Sequence, residues 1–458
     1  EAGKGGTTSA PYSSGEKNVA VGYQALTGFT TAQRMVAIGY EAMTDVTTGE
    51  DSVAIGYQAG YYNSSSYSVS IGMSAGYYPS AGSNVYMGYR AGNTSRGNSN
   101  TAIGASAIRY LNAGNQNVAV GNTAGSYLLG TETTIVGSQA GRFATGSYNT
   151  FMGYKAGYGG TTSAPYSSGK HNTAVGTNAL AGFTTGQYNT VIGKNTGQAI
   201  TTANYNTFVG AWAGDAATAS GYNTVVGFQA FSDAQADSSH TVAIGYQAGK
   251  AITSGDGNIM IGASAGNTTT DVDKAVIIGQ DAGQADMTSD ADGTIAIGYQ
   301  AGKAITSGAR QTFLGYQAGY STTTGQENVF IGYQAGYSNL DNHANIYIGK
   351  QVAYNVADGS YNVAIGEEAM KSTGTAANNH PSYNVAVGNQ AGYNLTTGDN
   401  NVFLGSRAGY ASTTTQGNVA IGYEAGRYIV TSVGQTAVGY QAAKSIVDGH
   451  SNTAFGYQ

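Results

Sequence analysis

The chain of 458 residues contains no cysteine, which excludes disulfides, thiolate zinc sites and a catalytic thiol. It has only four prolines and no Gly-X-Y period, so a collagen helix is excluded as well. Charge is scarce: Lys, Arg, Asp and Glu make up 10% of the residues, against roughly a quarter in ordinary globular proteins. The net charge of −6, with 19 basic residues, gives no basic surface for nucleic acid. No apolar run approaches the roughly 18–20 residues that cross a bilayer, so no membrane insertion is expected of this segment. No signal segment follows Glu1, and the sequence reads as a processed chain or a window from a longer one. What is abundant is glycine (71) and tyrosine (36), and with 41% hydrophobic residues disorder is not the natural reading.

Self-similarity accounts for the composition. The string Asn18–Ala25, Asn-Val-Ala-Val-Gly-Tyr-Gln-Ala, returns at Ser52–Gly60, Asn328–Gly336 and Asn418–Gly426. Aligned on its first glycine the unit recurs in 26 copies, from Gly22 through Gly39, Gly56, Gly245, Gly298, Gly332 and Gly422 to Gly456, about 17 residues apart. Residues 1–458 therefore read as a single repeat array, with longer connectors near 157–172 and 371–383. A unit this short cannot bury its own apolar face and must stack on its neighbours.

The residues one and three before the glycine are almost all β-branched or aliphatic, a short-strand signature. The connectors are rich in Thr, Ser, Gly, Asn and Asp, and all four prolines, Pro11, Pro79, Pro165 and Pro381, fall in them. The fold class is all-β: a parallel β-solenoid or β-roll of about 26 rungs, roughly 120–125 Å long at the usual strand spacing. The glycine marks a corner that needs a left-handed φ. The Tyr-Gln-Ala-Gly stretch after it reads as a second short strand or tight arm.

The two positions flanking the strand centre, including the Thr residues among them, read as core, which argues against ice binding through an outward Thr row. The central position, two before the glycine, then points to the other face. It is aromatic in seven copies, including Phe151, Phe208, Phe313, Phe330 and Phe403. A strand apolar on both faces is normally buried on both, so this set is expected to meet other chains. Two further columns form ladders: asparagines such as Asn84, Asn100 and Asn117 four before the glycine, and tyrosines such as Tyr299, Tyr316 and Tyr333 just after it. The tyrosines read either as a stabilising stack or as an aromatic strip for glycans.

Catalytic constellations are missing from the pattern. The histidines are widely spaced in connectors, and one concentration of acids includes Asp271, Asp273, Asp290 and Asp292, weak candidates for a hard cation. No catalytic residue, cofactor or cofactor-binding residue is expected.

The Ser-Val-Ala-Ile-Gly motif at Ser52–Gly56, with its Asn-Val-Ala-Ile-Gly variants, resembles the head repeats of trimeric autotransporter adhesins of the YadA type. The Gly-Tyr-Gln-Ala-Gly arrays are similar to those of marine bacteriophage fibre proteins. The resemblance covers all the copies. It implies a left-handed β-roll, three chains wound side by side and a role in attachment. The adhesin repeat is shorter, so each connector here carries extra residues.

These features together predict a non-enzymatic extracellular fibre or adhesin at a cell or virion surface. It would associate with itself, as a trimer or filament, and attach multivalently to surface glycans or matrix. The alternative is the shaft of a bacteriophage tail fibre; a third reading is a polysaccharide-cleaving spike.

Overall fold

A computed structural model describes residues 1–6, 13–111, 113–234 and 238–458; Pro11 lies outside them. The chain divides into two compact units, Glu1–Val226 and Gly227–Gln458. Among the described residues the first holds thirteen three-residue strands, from β1 (Val19–Val21) to β13 (Thr224–Val226), and the second thirteen more, from β14 (Val242–Ile244) to β26 (Thr453–Phe455). Within each unit successive strands pair in parallel and in register, so that Val36, Ala37 and Ile38 face Val53, Ala54 and Ile55. Each unit is a β-solenoid with one strand per coil. Two single 3₁₀ turns, Ser289–Ala291 and Ala376–Asn378, sit in connectors of the second unit.

The repeat glycine is required twice over. Gly315 has φ +142°, a conformation open almost only to glycine, and a Cβ there would overlap the carbonyl oxygen of Gly332 one rung on. The following arm is a turn rather than a second strand. Gln58 and Gly60 have φ of +51° and +59°, which breaks any extended run. The arm still stacks by backbone hydrogen bonds, Gln58 N–H to Tyr40 O at 2.9 Å and Gly60 N–H to Ala75 O at 2.9 Å.

The asparagine column closes the coil from inside. Asn117 is fully buried. Its backbone N–H and its side-chain amide both donate to Asn100 Oδ1, each at 3.0 Å, and the amide also donates to Gly130 O at 2.9 Å. Its own Oδ1 accepts the Thr133 N–H at 2.9 Å. Asn84 sits one rung earlier, its Oδ1 accepting the Asn100 N–H at 2.8 Å. The same arrangement runs through Asn384, Asn401 and Asn418 in the second unit. Every hydrogen-bonding group of such a buried amide has a partner, so the ladder joins strand to connector and rung to rung.

The faces of the strand are the reverse of those expected. The central residue is buried in every strand except the first and last, while its two neighbours are half-buried or exposed. Phe151, Phe208, Phe313, Phe330 and Phe403 are fully buried inside the coil, not set toward another chain. The Val, Ile and Thr column assigned to the core looks outward instead.

Side-chain volume decides this. Where the central residue is aromatic, the position six residues on is glycine in six of seven rungs, as in Tyr86 with Gly92 and Phe403 with Gly409. A Cβ at Gly409 would overlap the Phe403 ring. Where the central residue is alanine, a Leu or Ile nine residues on often fills the same space: Ala119 with Leu128, Ala296 with Ile305, Ala386 with Leu395 and Ala420 with Ile429, all fully buried. The aromatic rungs carry small or polar residues there, such as Ser95, Thr322 and Ser412. In these coils a large residue at one of the two positions is matched by a smaller one at the other, as close packing demands.

Candidate binding surface

With the large residues inside, the surface is assembled from columns, each repeating once per rung. The outer strand face is aliphatic and threonine-rich: Val21 is 55% exposed, Ile55 37% and Leu314 44%. From β8 (Thr134–Val136) to β13 the first strand residue is threonine in six consecutive rungs, all in register and pointing outward. The ground for setting ice binding aside, a threonine column inside the core, is thus removed.

Beside this face run aromatic ladders. Tyr299, Tyr316 and Tyr333 stack with ring centroids 5.1 and 5.2 Å apart and planes within 19° and 8°. A second ladder, five residues before the glycine, was not singled out in the sequence. Tyr148, His171, Tyr188, Tyr205 and Tyr222 stack in order at 4.7–5.1 Å. The signal was there, because that column carries Tyr repeatedly, but His171 looked like an isolated connector residue. A third set follows the arm, with Tyr320, Tyr337 and Tyr354 stacked at 4.9 Å. Rings inside such a ladder have both faces covered by neighbours and offer only edges and hydroxyls. Glutamines two after the glycine form a parallel amide ladder, Gln317 to Gln300 and Gln334 to Gln317, each at 2.9 Å.

The acids do not converge. Asp273 and Asp292 lie in successive rungs, and each carboxylate accepts a backbone N–H of the preceding rung, from Asp256 and Asp273 respectively, at 2.7 Å. Asp271 lies 3.5 Å from the Thr270 hydroxyl, and Asp290 sits in the first 3₁₀ turn. Among the described residues no three acidic or histidine side chains are placed to hold a metal ion.

Among the described residues one carboxylate is buried. Glu424 accepts from Lys444 Nζ at 2.7 Å and from Gln441 at 2.8 Å, and it pairs with Arg427. The Lys444 hydrogen bond above all, helped by Gln441 and Arg427, outweighs burial and holds its carboxyl below the usual glutamate range.

No protein-family model matches the chain, and no curated protein matches it either. The resemblance to adhesin and phage-fibre repeats stands on the motif alone. Among the described residues no helix is long and apolar enough to cross a membrane.

Proposed function

We propose that the chain is a non-enzymatic extracellular fibre element that associates laterally with copies of itself and attaches by repetition. One observation carries this reading: the outward residues of the strands form rows of Val, Ile, Leu and Met, many more than a third exposed, with Ile38, Met87, Ile103, Met152, Ile192 and Ile244 among them. Apolar patches continuous over many rungs are rare on monomeric proteins and mark contact surfaces. The outward strand residues carry no charge, so a second copy fits against them without burying an unpaired ion. The resemblance implies three chains in the bundle. Attachment would then gain from many weak sites on one rigid body.

Light scattering on the native protein tests this reading. A mass that is a multiple of 46.5 kDa supports it, and lysine at Ile55 and Ile103 should release folded monomers. A native protein that stays monomeric refutes it.

A further inference from the structure

The tyrosine ladders end at definite places, and only a terminal ring has a face that no other ring covers. Two such ends open into grooves, one in each unit. In the first, Tyr62 and Tyr78 stack at 4.7 Å and 9°. Thr94 takes the ring position in the next rung, which leaves a concavity of about 610 Å³ bounded by those residues with Pro79, Ser80 and Arg96. In the second, Tyr320 closes one end of a groove of about 500 Å³ whose lining includes Asn267, Gln284, Lys303, Ala304 and Ser321. Tyr320 stacks on Tyr337 at 4.9 Å, and the Lys303 ammonium of the preceding rung lies over the ring, 5.6 Å from its centroid.

The cations at these two ends differ from those at another ladder. The pair Tyr393–Tyr410 is flanked by Lys371 and Arg427, and each of those is tied to a glutamate, Glu368 and Glu424. Arg96 and Lys303 take part in no ion pair among the described residues. Each groove therefore combines a terminal aromatic ring with no second ring on its groove side, a positive charge without an acidic partner, and hydroxyl or amide groups at its edge.

We infer that these two ladder ends are binding sites for acidic sugars. The flat C–H face of a uronate ring lies on Tyr78, or on Tyr320 once the Lys303 side chain swings off the ring to meet the carboxylate. Its carboxylate pairs with Arg96, which can bind it through two N–H groups, or with Lys303. Its hydroxyls reach Ser80 and Thr94, or Gln284 and Ser321. Neutral sugars lack the ionic contact, and acidic peptides lack the flat ring. The inference deepens the attachment half of the proposed function and rests on it, but not on lateral association.

Calorimetry with tri-galacturonate, on the native protein whose mass is followed in parallel by light scattering, tests it. Two sites per chain are expected, falling to one in Arg96→Gln or Lys303→Gln and to none in the double variant. Tyr188→Ser, inside a ladder, should leave binding unchanged. Maltotriose and poly-glutamate should each bind at least tenfold more weakly. Equal binding of maltotriose or poly-glutamate, loss of binding in Tyr188→Ser, or no heat with the uronate at millimolar concentration overturns the assignment. Each of these results leaves the mass measurement, and with it the association reading, standing separately.

Discussion

Phe403 lies between Ala386 and Ala420 in the strand register, and Ser412 occupies the place that Leu395 and Ile429 fill in the adjoining rungs. If these two positions compensate each other in volume, Phe403 and Ser412 are exchangeable with an alanine–isoleucine pair, but only together. Phe403→Ala alone leaves a cavity and should cost about 3–5 kcal/mol. Ser412→Ile alone forces methylenes against the Phe403 ring, at about 1–3 kcal/mol. The singles sum to about 4–8 kcal/mol, whereas the volume-conserving double variant should lie within about 1.5 kcal/mol of the parent, a coupling of at least ~2.5 kcal/mol.

Long repeat arrays do not melt as one unit, so the readout should be local. Amide hydrogen exchange at Val402 and Gly405, which donate to Asn418 O and Val387 O at 2.8 Å, reports opening of that rung. The single Phe403→Ala variant should raise exchange there by roughly a hundredfold or more, and adding Ser412→Ile should restore most of the protection. Strict additivity of the two changes would refute the packing argument.

Other outcomes follow from the same geometry. Asn401→Ala removes the acceptor for the Asn418 N–H and two donated hydrogen bonds, so local stability should fall by about 2–4 kcal/mol, with exchange at Asn418 accelerating first. The Glu424 carboxyl is held below its ordinary value in the fold, so the unfolded chain binds the extra proton. Its stabilisation is therefore present near neutrality and lost as pH falls through the folded value; Glu424→Gln should remove that acid-dependent step from the melting curve. Tyr77 behaves oppositely, its phenol pushed up to about 12 by burial and by Tyr78 and Tyr62. Its contribution is full below the ordinary tyrosine value of about 10 and is lost as pH rises from there toward the folded value, visible as delayed phenolate absorbance and alkaline unfolding. The outward threonine row should give no thermal hysteresis in freezing assays, because lateral association covers that face; hysteresis abolished by Thr190→Lys would place the row in open contact with water.

The rung, the strand, the corner glycine and the asparagine and tyrosine ladders were all legible in the sequence, because each is a column of one residue type. The inward face was not. With Val53, Ala54 and Ile55 apolar in succession, period-2 alternation names two faces without saying which is inside. The deciding signal lay across columns: Gly409 accompanies Phe403, and Leu395 accompanies Ala386. Such pairs are invisible when columns are read one at a time. Sequence left the arm after the glycine between a second strand and a tight arm; it is the latter, because Gln58 and its counterparts adopt a left-handed conformation that residue type does not announce. The two ladder-end grooves could not be seen from sequence, since they depend on where a stack stops and on which cations lack an acid.

Lateral association through the outer strand face is the claim on which the functional reading turns. Light scattering of the native protein across a dilution series measures it most directly. A mass of two or more chains that collapses to 46.5 kDa when Ile55 and Ile103 become lysine is expected. A particle of 46.5 kDa at every concentration, folded and with Ile55 open to water, would mean that the face meets no second copy.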